Sequence, residues 1–316
     1  MSSSLPGNGV RLSPPRSGAI VNAMTVDVED YFQVSAFDMV VSRAAWDQFE
    51  SRVVANTHRL LDLFANADVR ATFFVLGWIA DRFPTLVKRI AAAGHEIASH
   101  GYHHQLAYML TPQQFREDVR TAKIAIENAA GVPVRGFRAP SFSIIEQNLW
   151  ALDVLIEEGY EYDTSIYPIH HDRYGIPGAE RHIHKLQRPA GSLIEVPAST
   201  VRVAGMNFPI GGGGYFRLLP SKWIRWGIGR VNGVERQPVV FYVHPWEVDP
   251  GQPRLDVNAV SRVRHYTGLK STMRRLTRLL EEFRFDSIAN VLNPEVAADP
   301  APSAWSFDVS PAGAPQ

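Results

Sequence analysis

Four short segments hold most of the side chains capable of hydrolytic chemistry. In TVDVEDYF, Asp27, Glu29 and Asp30 place three carboxylates within four positions. Like charges this close repel unless a cation or a raised pKa relieves them. Asp27 and Glu29 are two apart and share a face if the backbone is extended. The bland alternative is a solvated strand-to-loop turn. In SHGYHHQ, His100 and His104 are four apart, and one helical turn would bring both imidazoles to one side. His103 would point elsewhere. Two neutral imidazoles and one carboxylate, Glu29 with Asp30 as its rival, form a ligand set that leaves positions open for water. In GFRAPSF, Arg138 suits pairing with a catalytic carboxylate or holding a substrate, and Pro140 makes the loop entry rigid. In VVFYVHPWEVD, His244 ends an apolar run that Pro245 stops, and a histidine there can act as an acid near neutral pH. Taken singly, each of these residues also has an ordinary structural reading. Taken together, they supply what metal-assisted amide or ester hydrolysis requires.

These residues need elements to position them. Short apolar runs alternate with helical patterns along the chain. AMTVDV, RATFFVLG, HEIASH, VRGFRAP, YEYDTSI, SLIEVPAS and PVVFYVHPWE read as strands. The spacing of Val53, Leu60, Leu61 and Phe64 predicts a helix over 42–66. PTLVKRIAAAG reads as a helix with Pro84 near its start and Gly94 at its end. A further helix has Thr111 as N-cap, Pro112 at its first position and Gly131 as its stop. NLWALDVLIEEG and TMRRLTRLLEEF complete the helical set. Such alternation implies a parallel α/β architecture, barrel or doubly wound, with active residues where the strands end.

Composition is that of an ordinary globular protein: 316 residues, 45% hydrophobic, 20% charged and a formal net charge of zero. No long basic run favours nucleic acid as a partner. Cysteine is absent, which excludes disulfides and thiolate chemistry. No apolar run reaches the length of a signal-peptide core or a membrane span, so the expectation is a cytoplasmic protein with no transmembrane segment. Residues 1–20 are Ser/Pro/Gly-rich and residues 294–316 Pro/Ala-rich. They are expected to be a flexible leader and tail around a single body at 21–293. Nothing in the sequence indicates an oligomeric state.

The order DxED, HxxxH, RAP and a late strand ending in histidine resembles the polysaccharide deacetylase family with the NodB homology domain, carbohydrate esterase family 4. YDTSIYP, FPIGGGGYFR and YVHPWEVDP look similar to the branch that accompanies exosortase-linked exopolysaccharide loci. The resemblance implies a distorted (β/α) barrel, usually of seven strands. It also implies roles: Asp27 as catalytic base, Glu29, His100 and His104 as metal ligands, Arg138 as the residue orienting the base, and His244 as acid. Asp163 would match the aspartate that pairs with that acid. Two positions depart from the family pattern. Its adjacent aspartates are spread as Asp27-Val28-Glu29-Asp30, and Gly101 stands where a small hydroxyl residue is usual.

The implied cofactor is a divalent metal, zinc first, with cobalt, manganese or nickel as alternatives. The implied substrate is an N-acetylated polysaccharide or a lipid-linked sugar precursor. Pro140, Phe142, Tyr215 and Trp246 are candidate substrate-binding residues, and Tyr31 and Phe32 are further stacking candidates, although core packing is the simpler role of any aromatic. The Gly211–Gly214 run would let a sugar chain approach the backbone, or be a plain turn. Two rival functions are an amidase or imidase of small cyclic amides on the same fold, and a non-catalytic protein of polysaccharide assembly.

Overall fold

The computed structural model describes residues 20–292. Most of the expected leader, residues 1–19, and the tail expected from 294 lie outside the described residues. In chain order the elements are β1 (Val21–Val28), α1 (Val53–Ala67), β2 (Thr72–Val75), α2 (Gly77–Arg82), α3 (Pro84–Ala92), β3 (Glu96–Ser99), α4 (Pro112–Ala130), β4 (Gly136–Phe137), α5 (Trp150–Glu157) and β5 (Tyr162–Asp163). They continue with β6 (His184–Arg188), β7 (Gly191–Glu195), β8 (Thr200–Val203), β9 (Met206–Pro209), α6 (Gly213–Leu218), α7 (Ser221–Arg230) and β10 (Val240–Val243). The last are α8 (Ala259–Tyr266), α9 (Leu269–Glu282), β11 (Arg284–Asp286) and α10 (Ile288–Leu292).

Seven strands run parallel in the order β10-β1-β2-β3-β4-β5-β7. β6 adds antiparallel to β7, and β11 pairs with the start of β1. Among the described residues no ladder joins β7 to β10. The edge of β10 is met instead by Gly212, which forms a bridge with Tyr242, and by the Ser199 hydroxyl, which accepts from the Val240 N–H at 2.7 Å. This is a distorted α/β barrel with one side closed by irregular chain.

The core follows from the sequence pattern. β1 and β2 are buried on both faces, as parallel strands covered by helices must be. α1 buries Val53, Leu60, Leu61 and Phe64 against the sheet, each such burial stabilising by about 1.5–3 kcal/mol. α4 starts at a capping box in which Thr111 accepts from the Gln114 N–H, and it ends at Gly131 in the left-handed region. The helix expected over 42–66 is shorter than its periodicity suggested. Residues Arg43–Gln48 form a 3-10 turn, and α1 starts only at Val53.

Asp30 explains that start. Its buried carboxylate accepts from the N–H groups of Arg52 (2.8 Å) and Val53 (3.1 Å) and from the Ser51 hydroxyl (2.7 Å). A carboxylate arriving from the end of β1 therefore caps a helix more than twenty residues away in sequence, satisfying orphan donors of its first turn. A glycine requirement is met at Gly212 (φ +124°), where a Cβ would sit inside the backbone of Tyr242. The tetraglycine run thus lets the chain approach β10, not a sugar. No helix among the described residues is long and apolar enough to cross a membrane.

Asp30→Ala should strand several donors at once. It is expected to lower stability by about 2–4 kcal/mol, read as a shift of the urea unfolding midpoint.

Candidate active site

The polar side chains converge because parallel strands end on one side. Asp27 is the penultimate residue of β1 and Glu29 the residue just after it. His100 follows β3, Arg138 follows β4 and His244 follows β10. All five, with His104, line one pocket of about 180 Å³. That is below the ~300–1,000 Å³ typical of pockets enclosing drug-sized ligands. It admits one small group and the edge of a larger molecule.

Glu29, His100 and His104 each offer a ligand atom within 4.8 Å of the others, and all three are buried. Glu29 Oε2 lies 2.7 Å from His104 Nε2. That oxygen lacks a hydrogen-bond partner of proper geometry, although it is buried. His100 Nδ1 lies 2.7 Å from the Arg138 carbonyl oxygen, which can only accept. The bond places the proton on Nδ1 and leaves Nε2 with a free lone pair. Burial holds the His100 pKa down at about 4, keeping the ring neutral. Burial alone would raise the Glu29 carboxyl, but His104, His244 and His100 reverse this and hold it below its ordinary range. A neutral imidazole and an ionised carboxylate with an unsatisfied oxygen suit a divalent cation. Asp30 is excluded from this set, because its carboxylate is spent on the cap of α1.

The two histidines do not meet by way of a helical turn. Residues 100–106 form an irregular loop in which His104 is left-handed (φ +51°). Gly101 is also left-handed (φ +75°), and a Cβ there would meet the Asp118 carboxylate at 2.8 Å, which explains glycine where the family favours a hydroxyl residue. Asp118, on α4, accepts the Tyr102 N–H at 3.0 Å, while Arg43 donates to the carbonyls of His103 and His104 at 2.8 and 3.1 Å. These contacts hold the loop in its unusual path. His103 is exposed and lies outside the ligand group.

Arg138 is 1% exposed. Its Nη1 donates to Asp27 Oδ1 at 2.6 Å and to the Thr25 hydroxyl at 2.8 Å, and its guanidinium lies over the Phe74 ring. On the far side of Asp27, Oδ2 lies 3.8 Å from His244 Nε2. His244 Nδ1 donates to Glu247 Oε2 at 3.0 Å, and Glu247 Oε1 accepts from Arg217 Nε at 2.5 Å. Burial would lower the His244 pKa, but Glu247, Glu29 and Asp27 together raise it to about 9.

Glu247 is a partner that sequence reasoning missed. The resemblance assigned the role to Asp163, but Asp163 bonds Ser165 and sits opposite Glu195 in the sheet. Burial raises Asp163 to about 6, and burial beside Asp163 raises Glu195 well above its usual value. The signal for Glu247 was available: HPWE places Pro at the first and Glu at the third position of a helical turn, a capping-box pattern.

The aromatic expectations need correction. Trp246 lines the pocket, yet both indole faces are covered, by His244 (ring centroids 5.0 Å apart) and His265 (4.1 Å). It cannot stack on a sugar. Its Nε1 donates to Glu29 Oε1 at 3.0 Å and orients that carboxylate. Tyr31 and Phe32 are buried in an aromatic cluster with Phe37 and Trp46. Pro140 is buried behind the pocket. Tyr215 lines a neighbouring groove, with its hydroxyl 3.4 Å from that of Tyr174. Of the four substrate candidates, Phe142 and Trp246 reach the pocket wall. Tyr174 and Tyr242, not singled out in the sequence, line it as well.

Fold and site define a class: a parallel α/β protein with a carboxylate–dihistidine donor set at its strand ends, flanked by a buried Asp–Arg pair and a Glu-bound histidine. Comparison with known proteins narrows the class. Residues 42–162 match the polysaccharide deacetylase family, and residues 164–293 match a domain of unknown function, DUF3473. Over residues 42–162 the chain is thus similar to polysaccharide deacetylases. A peptidoglycan-N-acetylglucosamine deacetylase of Bacillus cereus is 31% identical over 120 residues, 34% of this chain and 44% of that protein. A chitooligosaccharide deacetylase of Bradyrhizobium is 35% identical over 100 residues, 31% of this chain and 43% of that protein. The chain thus spans less than half of these curated relatives. The crystal structure of a putative polysaccharide deacetylase from Mycobacterium smegmatis shares the fold, with a TM-score of 0.59 at 21% identity, covering 94% of this chain and 99% of that one.

Glu29→Ala or His104→Ala should abolish stoichiometric zinc binding by isothermal titration, whereas Asp30→Asn should retain it.

Proposed function

We propose that the protein is a metal-dependent hydrolase that removes N-acetyl groups from an amino-sugar polysaccharide or its lipid-linked precursor. The observation that carries this reading is a single pocket in which the donor set Glu29, His100 and His104 is flanked by Asp27 bonded to Arg138 and by His244 bonded to Glu247. The named activities of the Bacillus and Bradyrhizobium relatives support it.

A divalent cation, zinc first, held by Glu29, His100 and His104 would supply Lewis-acid polarisation of the acetyl carbonyl and an acidified water. The chain's own residues do the rest. Arg138 fixes Asp27 Oδ1, which leaves Oδ2 facing the pocket to take the proton of the attacking water. His244 presents Nε2 to the same space and protonates the amide nitrogen as its bond to the acetyl carbon breaks, since an unprotonated amine is a poor leaving group. Acetate and the free amino sugar leave. Glu247 keeps His244 in the donor state and fixes its ring, and Arg217 in turn fixes Glu247. The small pocket volume suits an acetyl group entering from a sugar that stays outside.

Acetate release from N-acetylated chitooligosaccharides by the zinc-loaded protein tests the reading. Asp27→Asn and His244→Ala should each lower kcat by roughly 10²–10⁴-fold while leaving stoichiometric zinc binding. Undiminished turnover in either variant would remove the proposed roles. The pH profile adds a separate check. His244 must be protonated to act as the acid, so activity should fall on the alkaline side, through a limb at or below about pH 9, because a cation at Glu29 offsets part of that carboxylate's pull. Glu247→Gln removes a negative charge from His244 and should shift this limb to lower pH.

A further inference from the structure

The floor of the pocket is charge-balanced, but its mouth is not. Arg138 is matched by Asp27, and Glu29 belongs to the cation set. Two more cations line the same pocket, Arg173 and Arg264, and no carboxylate other than Asp27 and Glu29 lines it. Arg264 lies 3.9 Å from Asp172, outside the lining. Arg173 forms no ion pair among the described residues. Its Nη2 donates to the Ser35 hydroxyl at 3.1 Å, and that hydroxyl is 2.5 Å from the hydroxyl of Ser141. Both serines line the pocket. The guanidinium is half-buried and held beside the space where substrate must enter, with donors to spare.

A cleft bearing one sign of charge over low-dielectric walls concentrates ligands of the opposite sign. A fixed guanidinium recognises carboxylate or phosphate through paired, charge-assisted hydrogen bonds. The pocket is too small to enclose a whole oligosaccharide, so the group meeting Arg173 belongs to the part of the substrate that stays at the mouth.

We propose that Arg173, supported by Arg264, forms a subsite for an anionic group, carboxylate or phosphate, carried by the substrate next to its N-acetylated sugar. This rests on the deacetylase reading above and deepens it, because the preferred substrate becomes an acidic glycan or a phosphate-linked sugar. It also gives the second half of the chain a task. Arg173, Tyr174, His244 and Arg264 all fall in the region matched only by a domain of unknown function, and that region supplies both the acid and the selecting wall.

The test uses zinc-loaded Asp27→Asn protein, so that bound substrate is not turned over, and three N-acetylated probes. Chitotetraose is neutral, a hyaluronan tetrasaccharide alternates N-acetylglucosamine with glucuronate, and UDP-N-acetylglucosamine carries a diphosphate. Dissociation constants are measured by titration calorimetry at low and moderate salt. At least one anionic probe is expected to bind more tightly than chitotetraose, and the tighter one identifies carboxylate or phosphate as the source. Adding Arg173→Ala should weaken that anionic probe by roughly 10- to 100-fold relative to chitotetraose, while Arg173→Lys keeps much of the preference. A merely structural Arg173 would weaken all three probes alike, and that result overturns the proposal. So does binding of chitotetraose as tight as both anionic probes, or no binding of any probe. Thermal melts of the variants separate misfolding from lost recognition. Acetate release from chitotetraose by the otherwise unmodified protein, measured in parallel, tells failure of this subsite from failure of the deacetylase reading.

Discussion

The buried ion pair between Arg138 and Asp27 sets the terms for the rest of the site. A guanidinium that is 1% exposed is costly to desolvate, and its attraction to a carboxylate compensates only if the remaining donors are also satisfied. Two threonines and an aromatic face meet most of that demand, with Nε alone left without a hydrogen-bond partner. From this pair, charge alternates outward. Asp27 faces His244, His244 binds Glu247, and Glu247 binds Arg217, at 3.8, 3.0 and 2.5 Å. Each member is tolerable inside the protein because its neighbours carry the opposite sign. The same alternation keeps His244 protonated and Asp27 oriented, so solvation and the proposed chemistry ask for one arrangement.

Parallel strands make that arrangement economical. Each strand delivers a different functional group to the same end of the sheet, and loops need only carry the chain a few residues further. The two histidines of the candidate donor set show the limit of this economy. His100 is placed by β3, whereas His104 depends on a left-handed turn that Asp118 and Arg43 hold from two directions.

Much of this was legible in the sequence. β-branched and aromatic runs ending in Asp27, His100, Arg138 and His244 announced both the strands and the end at which polar groups gather. The capped helix at Thr111–Gly131 was legible because Pro and Gly act locally. What was not legible depended on tertiary contact. The choice between Glu29 and Asp30 turned on a helix start at Val53 that only the fold brings to Asp30. Trp246 looks like a sugar platform until His265, from α8, is seen to cover its second face. His100 and His104 have helical spacing, but Gly101 diverts the chain. In each case a residue's type suggested several roles, and its neighbours selected one.

The position of β1 bears on how the protein is made. The strand that carries Asp27 lies between β2 and β10, and Asn22 receives the Val239 N–H across a separation of 217 residues. During synthesis β1 therefore emerges before the other described strands and waits with one edge bare until β10, about 210 residues later, has left the ribosome. A nascent chain could gather the donor set well before His244 exists. The pocket would then be completed only when the segment carrying His244 docks beside β1.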